Sequence, residues 1–145
     1  MVRRSAYLEV GGYFEPYFHT VEGIDLTTRL LAAGWDVRYF PDARFDHMKA
    51  HGGRASDRAL YLRIRNNIWY LWLHFPARVA APRTLGYLAF DLVDATYQRQ
   101  PGAWARAVRD AWRRREVMRD ERRPLPDVNT LTPLHLLTLL NPGRY

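Results

Sequence analysis

The chain has 145 residues, 48% of them hydrophobic and 14% aromatic, with 22 basic against 15 acidic side chains and a net charge of +7. That is room for one domain of ordinary size, and it is too apolar for a disordered chain. Cysteine is absent, which excludes disulfide scaffolds, zinc–thiolate sites and thiol catalysis; no charge-free apolar run reaches the ~20 residues needed to span a bilayer.

Met1-Val-Arg-Arg-Ser5 leads to no apolar core and no small-residue cleavage site, so an intracellular protein, soluble or surface-bound, is expected. Gly11-Gly12 breaks the chain, and the aromatic stretch from Tyr13 to Phe18, with Pro16 inside it, reads as a loop. Leu26, Leu30 and Ala33 recur at helical spacing, so a helix fits 25–33, and Gly34 supplies its stop. Trp35, Val37 and Tyr39 alternate with Asp36 and Arg38, the period of a half-buried strand ending at Pro41; a second extended segment covers 44–48. Helix followed by strand is the grammar of an α/β fold.

Beyond Gly52-Gly53 the pattern turns helical. Ser56 is placed to cap a long helix whose stripe is Leu60, Ile64, Ile68, Leu71, Trp72 and Phe75, ended by Pro76. Pro82 and Pro101 each suit a first helical turn, which predicts helices near 82–99 and 102–120. Residues 124–129 read as a linker, and Leu134 to Leu140 as a short apolar helix stopped by Asn141-Pro142-Gly143. The chain thus divides into an α/β part at 1–55, an amphipathic helical region at 56–123, and a linker with a short helix at 124–145.

Every basic residue but Lys49 is Arg, which pairs with carboxylate or phosphate through a planar fork. Between Arg106 and Arg123, eight arginines face four acids, so this stretch carries four of the seven net positive charges. Trp69, Trp72 and Phe75 of the 56–75 stripe, and Trp104, Val108, Ala111 and Trp112 of the 102–123 segment, combine with this Arg cluster. Trp with Arg suits a helix lying on an anionic membrane surface; the alternative, packing of the apolar residues against one another, is the preferred reading for 56–75 and stands level with the membrane reading for 102–123. A nucleic-acid-binding protein is the rival class, supported by a pI near 10.1. No nucleic-acid motif is present and the aromatics fall at core spacing, so nucleic acid is not the expected partner.

Glu22, Asp25, Asp42, Asp46, His47 and His51 fall within thirty residues. Glu22 and Asp25 are three apart, so in the first turn of a helix they share one side, where the helix dipole favours their ionised forms. Such carboxylates serve as caps, as general bases or as cation ligands, and a neutral imidazole at a strand end can join a metal shell.

The order of these pieces carries more than any one of them. Gly11-Gly12-Tyr13, then Glu22-Gly-Ile-Asp-Leu-Thr-Thr-Arg29, then Trp35-Asp-Val-Arg-Tyr-Phe-Pro-Asp-Ala43 and His47 resemble the second half of a family 2 glycosyltransferase domain of GT-A fold, rhamnosyltransferase-like. The resemblance spans about residues 3–66 and takes in Arg54 and Asn66. It implies an inverting enzyme that moves a sugar from a nucleotide-sugar donor to the hydroxyl of a glycan or lipid-linked acceptor. It further implies Glu22 or Asp25 as the base, with Glu22 preferred, Gly11 and Gly12 in the donor/acceptor loop, and Arg54 on the diphosphate. By the same resemblance His47 completes a Mg²⁺ or Mn²⁺ shell, and Arg29 is structural. Gly23 stands where the family usually carries the Asp regarded as the base. No Asp-x-Asp metal motif occurs in the chain. The expectation is therefore a C-terminal GT-A fragment, cytoplasmic and peripheral on the inner membrane face, inactive without a missing N-terminal half or split partner.

Overall fold

The computed structural model describes residues 1–38 and 57–120. In chain order they form α1 (Arg4–Glu9), a short 3₁₀ turn (Glu15–Tyr17), α2 (Glu22–Ala32), α3 (Asp57–His74), α4 (Ala77–Tyr97), α5 (Pro101–Arg113) and α6 (Arg115–Asp120).

Among these residues there is no strand, so they do not show the α/β fold expected from the sequence. Trp35 to Arg38, the described part of the first predicted strand, lies in no ladder, and Val37 is exposed. Alternation alone cannot make a strand; it needs a hydrogen-bonded neighbour, and the described residues hold none. The segment 44–48, Ser56, and everything predicted at 124–140 lie outside the described residues.

The centre of the fold is α3. Leu60, Ile64, Ile68, Leu71 and Phe75 of its predicted stripe are buried, and Trp69 joins them with no exposed surface, whereas Trp72 reaches the surface and donates to Thr84 Oγ1 at 3.1 Å. Each such burial contributes about 1.5–3 kcal/mol relative to leaving the side chain in water. The helix α5 lays Ala103, Ala107 and Ala111 against this stripe, all buried. Alanines at i, i+4 and i+8 let two backbones approach closely, and Trp69 Nε1 bonds Ala111 O at 3.4 Å. The helix α4, which connects α3 to α5 in the chain, packs on both, fixed by Arg63 on Asp91 (3.0 Å) and Asp94 (2.5 Å), and by Trp104 Nε1 on Leu88 O (3.0 Å). Tyr17 and Val21 ahead of α2 belong to the same apolar cluster. Ala6, Leu26 and Leu30 form a smaller one between α1 and α2.

Three helices differ in their bounds from those read in the sequence, beginning with α2, which starts at Glu22, three residues ahead of the expected 25–33. Pro82 lies inside α4, not at its start. The Val79 and Ala80 amides both reach Pro76 O (2.8 and 2.9 Å), so the helix has already started five residues ahead of Pro82, which sits in the second turn with no N–H to give the carbonyl of residue 78. The predicted 102–120 helix is two: at Arg114 the backbone (φ −100°, ψ 29°) leaves the helical basin, and α6 begins at the next residue. Pro101 does open α5. Gly34, at φ +84°, ends α2 with Trp35 N bonding Leu30 O at 2.9 Å, a left-handed cap that suits glycine.

Candidate functional site

The site is built around the start of α2. Glu22 and Asp25 share its first turn, but their side chains meet opposite fates. Asp25 is 1% exposed. Its Oδ2 accepts from Arg29 Nε (2.9 Å) and Nη2 (2.6 Å), while Oδ1 lies 2.6 Å from His74 Nε2 and 3.4 Å from the Tyr17 hydroxyl, which donates to it. Burial alone would raise the Asp25 carboxyl; the hydrogen bond and charge of His74 and the Arg29 guanidinium outweigh it and hold the group below the ordinary carboxylate value. Burial and the neighbouring Asp25 carboxylate push the Tyr17 phenol up, so it stays a donor. Tyr70 of α3, held up at about 12 chiefly by burial, shares a 2.8 Å hydrogen bond with Thr28 of α2.

Arg29 extends this anchor to the glycine pair. Its Nη1 donates to Val10 O and its Nη2 to Gly12 O at 2.6 Å, so one guanidinium ties α2 to the turn after α1. That turn has Gly11 at φ +78° and Gly12 at φ +68°. The left-handed backbone favours glycine, and a Cβ on Gly12 would stand 3.0 Å from three atoms at the end of the Tyr7 side chain, which would have to give way.

Glu22 remains partly at the surface. Its Oε1 is 3.7 Å from Nδ1 of the exposed His19, within reach of an ion pair when the imidazole carries a proton, and its Oε2 is enclosed with no hydrogen-bond partner among the described residues. The approach to Glu22 is strained: Phe18 (φ +63°) and Thr20 (φ +90°) hold a backbone that side-chain-bearing residues rarely adopt. Arg65 and Asn66 of α3 impose it. Arg65 Nη2 donates to Pro16 O (3.0 Å) and Tyr17 O (3.2 Å); Asn66 Nδ2 reaches Tyr17 O (2.9 Å), His19 O (2.6 Å) and Thr20 Oγ1 (3.3 Å). Arg65 also donates to Asn66 Oδ1 and stacks over Trp69 at 4.4 Å, so the clamp itself is held on two sides.

An open groove of about 850 Å³ runs along the other side of α2, lined by Tyr13, Gly23, Thr27, Trp35 and the first residues of the chain. Gly23 faces it; Glu22 does not. Of the residues singled out in the sequence, the structure joins Gly12 to Asp25 through Arg29 and places Glu22 on the neighbouring surface. His47 and Arg54 lie outside the described residues. Among the described residues no three His, Asp or Glu side chains converge as a metal ion would need. Tyr17, Arg65 and His74 drew no notice in the sequence reading: they act on residues 8 to 49 positions away, and nothing local marks such a contact.

No protein-family model matches the chain, and no solved structure does. Over 73 residues, half of its length, the chain is 45% identical to N-acetylglucosaminyl-diphospho-decaprenol L-rhamnosyltransferase of Mycobacterium tuberculosis, in strain CDC 1551 / Oshkosh and again in strain ATCC 25618 / H37Rv. The matched stretch covers 24% of those proteins, so the chain spans about a quarter of the curated relatives that it resembles.

Proposed function

We propose that this chain is the acceptor-side part of an inverting, family 2-like glycosyltransferase that moves a sugar from a nucleotide-sugar donor to the hydroxyl of a lipid-linked glycan acceptor. The observation that carries the reading is the 45% identity over 73 residues to a rhamnosyltransferase acting on a diphospho-decaprenol acceptor. The geometry supports it: a partly exposed carboxylate stands at a helix N-terminus, ahead of a buried Asp25–Arg29 anchor that fixes the Gly11-Gly12 turn.

In this proposal Glu22 is the base. It takes the proton of the acceptor hydroxyl as that oxygen bonds the anomeric carbon, and the nucleoside diphosphate leaves from the opposite face with the bonding electron pair. Asp25, buried and saturated with donors, serves as the positioning anchor. His47 and Arg54 are proposed to meet the metal-bound diphosphate. The described residues do not by themselves compose a Mg²⁺ or Mn²⁺ site, and no step above runs through one. The chain is proposed to act only with a nucleotide-binding half carrying the Asp-x-Asp motif that its own sequence lacks.

The test is transfer of labelled rhamnose from its nucleotide donor to polyprenyl-diphospho-N-acetylglucosamine, with such a half supplied. Glu22→Gln is expected to lower kcat by about 10²–10⁴-fold with donor KM unchanged. Retained turnover moves the base elsewhere. No transfer by the unmutated chain, with donor binding intact, overturns the reading.

A further inference from the structure

The helix α4 is built inside out. Its acids, Asp91 and Asp94, turn inward onto Arg63 of α3, while the opposite side presents Leu85 (68% exposed), Phe90 (67%), Val93 (71%) and Tyr97 (87%). With Pro82, Gly86, Ala89 and Leu92 these positions run at three- and four-residue steps along nearly the whole helix, on the order of 500 Å² of apolar surface, as large as the biggest patch on an ordinary monomer. No carboxylate lies on this stripe. Arginines close it at both ends, Arg78 and Arg83 toward the start of α4 and Arg99 just past its end, the first and last of them exposed. By contrast α5, where Trp and Arg drew attention in the sequence, spends its small-residue face on α3 and leaves Trp112 as its exposed large apolar side chain.

Charge selects the occupant. Two copies pairing along α4 would bring Arg78 and Arg83 against Arg99 in one orientation and like against like in the other, with no acid on the stripe to compensate and +7 on each chain. An anionic lipid surface answers both features, taking apolar side chains below its headgroups and guanidinium groups on its phosphates. No helix among the described residues is long and apolar enough to cross a membrane, so the contact is one of lying on it. We propose that the outward face of α4 is a lipid-contact surface, with Leu85, Phe90, Val93 and Tyr97 among the upper acyl chains of an anionic bilayer and Arg78, Arg83 and Arg99 on its phosphates. This does not rest on the transferase reading, and the assay below contains no donor or acceptor.

The test is co-flotation of the full chain with vesicles of phosphatidylcholine alone or with 30% phosphatidylglycerol. The chain is expected to float with the anionic vesicles at least ten-fold better than with the neutral ones. The variant L85Q/F90Q/V93Q should lose that binding at unchanged helical circular dichroism. Since the chain has no cysteine, a second reading comes from single-site labels: an environment-sensitive dye on V93C should shift to the blue on anionic vesicles, and the same dye on L8C, an exposed site on α1, should not. Equal binding by the triple variant overturns the proposal, as does an unshifted dye at 93. So does light scattering that shows a dimer broken by the triple variant, which would make the face a self-association surface instead.

Discussion

Asp25→Asn is expected to cost about 3–5 kcal/mol of folding stability, the range for removing one partner of a buried ion pair. The structure says why the full range applies. The Arg29 and Asp25 side chains are 7% and 2% exposed, so in the variant the guanidinium keeps its charge without its counter-ion and without water. Two arginine donors, His74 and Tyr17 all aim at the Asp25 carboxylate, and an amide has a single oxygen to offer them. Against a total stability of about 5–15 kcal/mol for a domain, this is a large fraction. Urea unfolding of the full chain, followed by circular dichroism, reads it directly: with a slope of about 1–3 kcal/mol per molar, the midpoint should fall by roughly 2 M. The pH dependence supplies a second readout. Because the folded carboxyl is held below its unfolded value, its contribution is present above about pH 4 and is lost as pH falls through the folded value. The acid limb of wild-type stability should therefore be steeper than that of the variant. Asp36→Asn, which removes an exposed pair with Arg38, should leave the midpoint in place. A loss below about 1 kcal/mol for Asp25→Asn, with an unchanged acid limb, would refute the burial argument.

Four further changes test other parts of the fold. Gly12→Ala should destabilise by about 1–3 kcal/mol through its left-handed backbone and the Tyr7 ring, read as a lower Tm. Asn66→Ala strips donors from Tyr17 O and His19 O, costs about 1–3 kcal/mol, and should speed chymotryptic cutting at Phe18; an unchanged cutting rate would separate the clamp from the strained loop. Arg63→Gln should cost about 1–2 kcal/mol, less at acid pH, because burial already raises the Asp91 carboxyl and it protonates readily once the guanidinium is gone. Gly23→Asp meets open space and adds a carboxylate to the first turn of α2, so stability should hold or rise by about 0.5–1 kcal/mol. A gain in transfer by that variant would place the base on the groove side of α2 rather than at Glu22.

What the sequence made legible was local. Leu26 and Leu30 mark the inner face of α2, Gly34 its end, and Leu60 to Phe75 the buried side of α3, because helical period and terminal chemistry act within a few residues. Pro101 opens α5 for the same reason. Pro82 misled because a proline marks a favoured first-turn position without requiring it: here the helix begins five residues earlier, at Ala77, and carries Pro82 in its second turn at the loss of one backbone hydrogen bond. The alternation at Trp35 to Arg38 says which residues would share a face, not whether a neighbouring strand stands beside them. In α4 apolar residues occur on more than one side, so periodicity could not say which side would be covered. Arg63 decided it, thirty residues upstream, by drawing Asp91 and Asp94 inward.

The acid-x-x-acid-x-x-x-Arg spacing at the start of α2 shows how one short motif carries two kinds of work. Positions i and i+4 on a helix face each other, so Asp25 and Arg29 pair almost wherever that helix is placed. Burial by Tyr17 and His74 then converts a weak surface pair into a fixed one, and Arg29, held at that end, has its remaining donors free for Val10 O and Gly12 O. Glu22, three residues earlier in the same first turn, gains no such partners, and its approach is fixed from outside the helix by Arg65 and Asn66. The scaffold therefore hangs on Asp25 and leaves Glu22 half-buried at a helix N-terminus behind a strained loop, its Oε1 near His19 and its Oε2 enclosed. Under the proposed function, a half-buried carboxylate on a helix held that firmly is the preorganised group that a general base needs to be.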